Sequence, residues 1–179
     1  NPSVLRAATV PDGTIDPFRY TAANALDAVE HGAVIMTHTL VTGITRKGDS
    51  ITGVTYRRRN GREGEIHAPV VINASGPWAG TIAAMADIDL RMFPAKGSMV
   101  ILDYRVNRMV VNRCRIPSDG DIVVPGDTVS LIGTTSSKID PGEMNDPRVN
   151  DDEIDILLSD GEKLIPAVRQ TRILRAYCG

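Results

Sequence analysis

The sequence predicts a mixed α/β fold (α+β mixed), and three stretches of the chain support that prediction. Residues 69–74 form a short, β-branched and almost uninterrupted apolar run that leads into helix-forming residues, which is typical of a strand buried in a parallel sheet. Residues 40–67 contain three strand-like segments separated by hairpin turns. Residues 96–132 contain four short strand-like segments with no helix between them, which indicates an antiparallel or mixed sheet.

The first elements along the chain predict part of a parallel crossover unit. Residues 4–10 alternate weakly and predict a strand before a turn. Asp16 followed by Pro17 is typical of a helix start, and apolar residues recur at helical spacing until Gly32. We expect this helix to be amphipathic and to pack its apolar face on a core. Residues 33–37 then predict a short apolar strand.

The next segments predict an antiparallel meander inserted between two parallel strands. Its strands are expected at 40–46, 51–59 and 62–67, and Asn60-Gly61 is the strongest two-residue hairpin signal. Arg57-Arg58-Arg59 lies beside that turn and has two interpretations. It could bind phosphate, but solvated charge at a sheet edge, which also discourages strand-to-strand aggregation, is the favoured interpretation.

The junction after residues 69–74 combines a strand end with a helix start. Ser75 or Gly76 can cap the next helix, Pro77 suits its first position, and residues 79–86 are good helix formers. The free N–H groups of a helix that opens at a strand end commonly bind phosphate. The alternative is an ordinary strand–helix junction of an α/β domain.

The second half of the chain predicts a sheet, a long loop, a helix and a final strand. The four strands are expected at 96–104, 109–112, 121–124 and 128–132, and the polar residues 134–150 form the loop. Acidic residues from Asp151 onward suit the first turn of a helix that Pro166 helps to end, and residues 171–177 predict the last strand.

Composition excludes several classes of function. The net charge of −2 and the lack of a basic stripe with interleaved aromatics argue against a nucleic-acid partner. No apolar run approaches the roughly 18 residues that span a bilayer, so we expect a soluble, cytoplasmic protein. The two cysteines lack metal-site spacing, and no metal site is predicted. Hydrolase and nucleotide-triphosphatase motifs are missing.

Several short motifs together resemble a known family. Residues 73–80, Asn-Ala-Ser-Gly-Pro-Trp-Ala-Gly, are similar to the N-A-[AS]-G-x-W-[AS] segment of FAD-dependent oxidoreductases related to D-amino-acid oxidase and glycerol-3-phosphate dehydrogenase. Further matches point to the flavin subunit of anaerobic glycerol-3-phosphate dehydrogenases. They lie at residues 12–19, 96–98, 112–119, 124–128 and 131–135.

The resemblance implies FAD and a particular architecture. Residues 1–91 would be part of a two-dinucleotide-binding FAD/NAD(P)-type domain with an inserted β-meander, and residues 92–179 a substrate-side sheet and helix. In the family the position of Val41 lends its backbone to the adenine end of FAD, although a simple core valine is an equal interpretation. The other cofactor-binding residues that the resemblance implies are Asn73, Ala74, Ser75, Gly76 and Trp78. From its residue type alone, Trp78 is instead predicted to be a buried side chain that anchors the core.

The resemblance also implies an activity. The reaction would be oxidation of sn-glycerol 3-phosphate to dihydroxyacetone phosphate, with hydride passing to the flavin and electrons then reaching a quinone. A phosphate dianion favours guanidinium donors, and the candidate substrate-binding residues are Arg113, Arg115, Thr134, Thr135, Arg175 and Lys96, with Arg172 considered beside Arg175. Arg113 and Arg115 lie two apart on one side of a strand, and the alternative is that both are simply exposed.

The resemblance also implies partner subunits, and two alternative functions remain open. We expect a second electron-transfer subunit together with a membrane-anchor subunit, on the cytoplasmic face of the membrane. The rivals are an amine or 2-hydroxy-acid oxidase of the same fold, and a non-catalytic α/β docking module. The G-x-G-x-x-G that such flavoproteins need is missing, and Tyr177-Cys178-Gly179 is the first half of the family's Y-x-G-V-R-P segment. We therefore expect an internal fragment of a longer protein.

Overall fold

The computed structural model describes residues 4–116 and 119–179. Residues 1–3 of the predicted domain 1–91 and residues 117–118 of the family motif at 112–119 lie outside this range. The chain divides into two compact units. We call Asp16–Phe93 the hairpin unit, and Pro94–Gly179 together with residues 4–15 the sheet unit.

The hairpin unit begins with helix α1, Pro17–Glu30. The Asp16 carboxylate accepts hydrogen bonds from the N–H groups of Phe18 and Arg19, each at 3.0 Å, and Pro17 occupies the first turn as predicted. The apolar face of α1, however, does not pack on a core formed by the described residues. Its side chains Phe18 and Leu26 are 86% and 67% exposed. The prediction of a core-facing helix is therefore wrong for this unit.

Three antiparallel strands follow in the order β1-β2-β3, which confirms the predicted meander. They are β1 (Thr39–Lys47), β2 (Ser50–Arg58) and β3 (Glu63–His67), and the short helix α2 (Ala79–Ala84) comes after them in the chain. Gly61 adopts the positive φ of +82° that the predicted Asn-Gly turn requires. Each strand pairs with a neighbour that is adjacent in the chain, so the ladder closes locally.

The predicted strands at 4–10, 33–37 and 69–74 do not form. Residues 33–36 and 70–74 have no ladder partner among the described residues, and Ile72 is 84% exposed. A parallel strand needs a neighbouring strand to satisfy its backbone N–H and C=O groups. The apolar pattern of these segments alone therefore does not produce a sheet.

The sheet unit contains a five-stranded antiparallel sheet in the order β10-β5-β8-β7-β6, as the run of short strands predicts. A two-stranded ladder pairs β4 (Ala95–Lys96) with β9 (Ser137–Lys138), and β9 lies within residues 134–150, the predicted loop. The strands of the larger sheet are β5 (Ser98–Leu102), β6 (Val111–Asn112), β7 (Ile122–Pro125), β8 (Ser130–Gly133) and β10 (Ile173–Cys178).

Helix α3, Asp151–Leu164, covers one face of this sheet. Asn150 and Glu153 form a reciprocal capping box at its start. Leu157 of the helix is fully buried with Val100, Leu102, Val123, Ile132 and Val168. Gly161 permits this close approach, since a Cβ there would lie 3.1 Å from Cδ1 of Ile132. The core of the sheet unit therefore lies between α3 and the sheet.

The opposite face of the sheet lacks this cover. Along β5 the residues Ser98, Val100 and Leu102 are buried, whereas Met99 and Ile101 are half-buried. Their ladder partners on β10 are Tyr177 and Arg175, so these four side chains share the second face. We call this second face the open face.

The mixed α/β class is confirmed by these elements. Within the described ranges, none of the helices combines the length and apolar composition that crossing a bilayer requires.

Candidate functional site

The turn after residues 69–74 is held by the side chain of Asn73. Its Nδ2 donates to the carbonyl oxygen of Ala79 at 2.9 Å, and its Oδ1 accepts from the Ser75 hydroxyl at 2.7 Å and the Ser75 N–H at 3.3 Å. The Ser75 side chain therefore donates its hydrogen bond to Asn73, which precedes it in the chain, and does not cap the next helix. Asn73 sets the path of the turn on both sides of Gly76.

The helix after this turn is shorter than predicted. A 3-10 turn, Gly76–Trp78, precedes α2, Ala79–Ala84. Trp78 is an exposed side chain rather than a core anchor in the described structure. Because α2 has only six residues, its dipole alone is a weak reason to expect phosphate there.

Gly76 makes the turn open to a ligand. Its φ is +59°, a conformation that glycine adopts without strain, and no atom outside residues 75–77 lies within 4 Å of the position that a Cβ would occupy. Ala74 is exposed and Ser75 half-buried beside it. The backbone of residues 74–76 can therefore be approached closely from outside.

Val41, the remaining predicted cofactor residue, lies near the start of β1 and is half-buried opposite Tyr56. The strand bulges between Val41 and Gly43. At the far end of the same strand, Arg46 donates to the carbonyl oxygen of Ala86 at 3.2 Å and forms a 2.8 Å ion pair with Asp87. This contact ties β1 to the segment that follows α2.

In the sheet unit, Lys96 lies inside a buried polar network. Its Nζ is 2.8 Å from Oε2 of Glu153 and 2.5 Å from the carbonyl oxygen of Arg148. The two side chains are only 8% and 6% exposed. Thr135 belongs to the same network, because its Oγ1 accepts the Ser98 N–H at 2.9 Å and lies 3.4 Å from Glu153. The structure thus places both predicted residues around Glu153.

Sequence reasoning missed Glu153 as the centre of this network. Burial raises the pKa of its carboxyl, but hydrogen bonds from Lys96 and the Asn150 N–H outweigh that effect, so the pKa is lowered. The capping-box spacing from Asn150 to Glu153 was the available signal. The network joins β4, β9 and the start of α3.

Arg113 and Arg115 face carboxylates. Arg113 lies 3.0 Å from Asp121 and 3.1 Å from Asp160, and Arg115 lies 2.7 Å from Asp121. Burial raises the pKa of Asp160, but Lys163 and Arg113 outweigh it, and the pKa is lowered. The two arginines therefore lie together in an ion-pair cluster that includes Asp160 of α3.

Arg175 is placed differently. It is exposed on the open face opposite Ile101 and makes no ion pair with any described residue. Tyr177, two residues along the same strand, donates its hydroxyl to Sδ of Met99 at 3.3 Å. Arg172, just before the strand, is instead paired with Asp103 at 3.0 Å.

Thr134, the last predicted substrate residue, is exposed at the end of β8, and its carbonyl oxygen accepts the Gly120 N–H at 3.3 Å. Leu131, Ile122 and Val124 give the open face a half-buried apolar surface. The open face therefore combines apolar side chains with a free guanidinium and a phenol. Among the described residues no group of histidine, cysteine and carboxylate side chains is arranged to hold a metal ion.

The sequence has clear relatives among curated proteins, which are subunits of anaerobic glycerol-3-phosphate dehydrogenases. Over 180 aligned residues it is 59% identical to the one from Escherichia coli K12, covering 100% of this chain and 33% of that protein. It is 49% identical to the corresponding protein of Haemophilus influenzae, again over the whole chain and 32% of that protein. The chain thus spans about a third of the length of these relatives.

Solved structures share the fold. Glycerol-3-phosphate dehydrogenase from Bacillus halodurans, complexed with FAD, superposes with a TM-score of 0.75 at 24% identity, over 90% of this chain and 34% of that one. L-proline dehydrogenase from P. horikoshii gives a TM-score of 0.71 at 27% identity, over 92% and 43%.

The family model described as FAD dependent oxidoreductase matches residues 1–179. The resemblance found in residues 73–80 and the shorter motifs is thereby confirmed, and the chain belongs to the family of FAD-dependent oxidoreductases.

Proposed function

We propose that this chain is part of an FAD-dependent sn-glycerol-3-phosphate dehydrogenase that oxidises glycerol 3-phosphate to dihydroxyacetone phosphate. The observation that carries the proposal is the 59% identity, along the entire chain, to a subunit of an anaerobic glycerol-3-phosphate dehydrogenase. The relatives are three times longer, so the activity is proposed for the protein that contains this chain.

The turn at residues 73–76 fits a cofactor that approaches the backbone closely. A side chain at Gly76 would occupy the open space beside the turn, and Asn73 holds the two flanking residues in place. The residues proposed to hold FAD are Asn73, Ala74, Ser75, Gly76, Trp78 and Val41. The flavin supplies the acceptor for the hydride that leaves C2 of the substrate.

The substrate's phosphate needs cationic donors that are not already neutralised. Arg175 meets this condition, since it is exposed and unpaired within the described residues, and a guanidinium can bind two phosphate oxygens at once. We propose that Arg175 binds the phosphate group of the substrate. Thr134, also exposed, offers a hydroxyl donor.

The other four candidate substrate residues have a structural role in this proposal and do not contact the substrate. Lys96 and Thr135 are bonded to Glu153, and Arg113 and Arg115 to Asp121 and Asp160. Because these side chains already have partners, their role is to fix β4, β8 and the segment after β6 against α3. That rigidity holds the open face, and with it Arg175, in a defined orientation. The division into domains 1–91 and 92–179 belongs to the same proposal.

Partners follow from the relatives, whose names identify them as subunits of a larger enzyme. We propose a second electron-transfer subunit that passes electrons to a quinone, together with a membrane-anchor subunit, the complex being peripheral on the cytoplasmic face of the membrane. The substrate is a small phosphorylated polyol, and no nucleic acid takes part.

The first test is a substrate panel on the full-length protein. We expect a yellow protein that prefers glycerol 3-phosphate over amines and 2-hydroxy acids in steady-state turnover with an artificial acceptor. Preference for an amine such as proline would favour the oxidase alternative, and a folded but colourless protein would favour a docking module.

The second test concerns Arg175. Loss of a charge-assisted contact of about 1.5–3 kcal/mol predicts that Arg175→Ala raises KM for glycerol 3-phosphate by about ten- to a hundred-fold, with a smaller change in kcat. Arg175→Lys should recover part of the loss. Arg172→Ala is the matched control, because Arg172 already pairs with Asp103; an equal effect there would contradict the assignment.

A further inference from the structure

The β2–β3 hairpin of the hairpin unit ends in an unusual concentration of positive charge. Arg57, Arg58, Arg59 and Arg62, which we call the arginine tip, are all exposed. None of the four side chains forms an ion pair with another described residue, and Arg58 only stacks 5.9 Å from the Tyr56 ring centroid. Several arginines elsewhere, among them Arg46, Arg113 and Arg172, are paired with carboxylates, and the other unpaired ones are dispersed along the sequence. The arginine tip therefore carries charge that the described fold does not use.

The arginine tip borders an open hollow of about 580 Å³. The start of β1 contributes His38, Thr39 and Leu40 to its lining, and the hairpin contributes Arg57–Arg59 and Gly61. The Arg59 N–H donates to the His38 carbonyl oxygen at 3.0 Å, which fixes the two sides against each other.

An apolar side chain lies among these charges. Leu40 is the ladder partner of Arg57, so both project from the same face, and Leu40 is 59% exposed. Glu63 is the ladder partner of Arg57 on the other strand and is the single carboxylate of residues 57–63. The hollow is therefore strongly cationic with a small apolar component.

We propose that the arginine tip and its hollow bind the phosphate headgroups of an anionic phospholipid surface. The hollow is open to solvent, so a single free phosphate would be contacted from one side only. A bilayer surface instead offers many phosphates at once, and the guanidinium groups at the end of this hairpin can engage several of them. Leu40 can contact the apolar boundary beneath the headgroups.

A lipid surface is favoured over an acidic protein partner because the four guanidinium groups are exposed and no ion pair with a described residue fixes their positions, as a specific set of protein contacts would require. Attraction to a charged membrane needs only charge density near the surface. Each basic residue close to an anionic membrane contributes about five-fold in affinity, so three arginines contribute roughly a hundred-fold.

The experiment uses the full-length protein without other subunits. Sedimentation with vesicles of equal phosphatidylcholine and phosphatidylglycerol is compared with sedimentation with pure phosphatidylcholine vesicles. We expect binding to the anionic vesicles only, weakened by about ten-fold or more as salt rises from about 0.1 M to about 0.5 M. The triple variant Arg57→Gln/Arg58→Gln/Arg59→Gln should bind roughly a hundred-fold more weakly.

Two control variants separate local charge from other effects. Arg6→Gln/Arg91→Gln/Arg108→Gln removes the same charge from three exposed, dispersed positions that make no side-chain ion pair with described residues, and it should bind like the wild type. Arg57→Lys/Arg58→Lys/Arg59→Lys should bind within about two-fold of the wild type, because surface attraction depends on charge.

Four results would overturn the proposal. They are equal sedimentation with neutral and anionic vesicles, no loss in the glutamine variant at the tip, equal loss in the dispersed triple variant, and loss in the lysine variant. The last would indicate directed guanidinium contacts with a structured partner. Solvated edge charge, the interpretation favoured from sequence, predicts that the glutamine variant at the tip behaves like the wild type.

Discussion

Helices α1 and α3 have the same length, 14 residues, and both begin with a side-chain cap, yet they are buried very differently. Leu157 of α3 is fully buried against the five-stranded sheet, whereas Leu26 of α1 is 67% exposed. The difference lies in what each helix can pack on. The strands beneath α3 hydrogen-bond to one another within the sheet unit, whereas the apolar segments 33–36 and 70–74 of the hairpin unit form no ladder.

The start of each helix sharpens the same contrast. The carboxylate at the start of α1, Asp16, caps two N–H groups in an exposed setting. The carboxylate in the first turn of α3, Glu153, caps the helix and also holds a buried lysine from another strand. In the sheet unit a local capping signal has become part of the tertiary structure.

The largest effect is expected at that buried pair. Lys96→Met leaves the Glu153 carboxylate buried without its cation, which should cost about 3–5 kcal/mol in the free energy of unfolding. Urea denaturation followed by circular dichroism measures the change. Neutralising the partner as well, in Lys96→Met/Glu153→Gln, should restore part of the stability, because no uncompensated charge remains.

Asp16→Ala provides the comparison in the other helix. It removes an exposed cap and should cost about 1 kcal/mol. A loss in Lys96→Met no larger than this cap effect would mean that the lysine–glutamate pair is solvated, contrary to the exposed fractions of 8% and 6%.

The next prediction concerns the two leucines. Leu157→Ala should destabilise the chain by about 2–5 kcal/mol, because it removes buried methyl groups and leaves a cavity between α3 and the sheet. Leu26→Ala lies in a helix of the same length, but the leucine there is exposed to solvent, so this substitution should change the free energy of unfolding by about 0.5 kcal/mol or less. Equal losses in the two variants, measured in the same urea titration, would show that α1 is buried in solution.

Much of the fold could be predicted from sequence because its signals are local. The Asn60-Gly61 turn, the Asp16 cap, the acidic start at Asp151 and the alternation along β5 act over a few residues. The segments 33–37 and 69–74 failed for a physical reason. Apolar β-branched composition favours extended backbone, but a strand exists only when a neighbour accepts and donates its hydrogen bonds.

The candidate site was predictable as a set of residues but not as a set of contacts. The family motifs selected Asn73 and Gly76, yet the hydrogen bond from Asn73 to Ala79 depends on how the turn folds. Arg113 and Arg115 were selected for their charge, but their carboxylate partner Asp160 lies on α3, 45 or more residues further along. Charge that looks available in a sequence can be neutralised by a residue that only the tertiary structure brings near.

The smallest expected effect is a change in how the stability that the ion pairs of α3 contribute depends on pH. The pKa of Asp160 is lowered in the folded protein: burial raises it, but Lys163 and Arg113 outweigh that. The folded state therefore holds this proton less tightly than the unfolded state, so the resulting stability is present at pH values above the unfolded pKa and is lost as pH falls through the folded pKa. The pKa of Glu153 is shifted in the same direction.

Replacing Asp160 by asparagine removes this titration, so between about pH 6 and about pH 3 the free energy of unfolding of Asp160→Asn should fall less steeply than that of the wild type. The variant starts from a lower stability at neutral pH, because it leaves Arg113 without one of its two carboxylates. Asp155→Asn, which removes an exposed carboxylate from the same helix that makes no ion pair with a described residue, is the matched control and should follow the wild-type curve. If Asp160→Asn keeps the wild-type slope, the ion-pair cluster between α3 and the arginines does not form in solution.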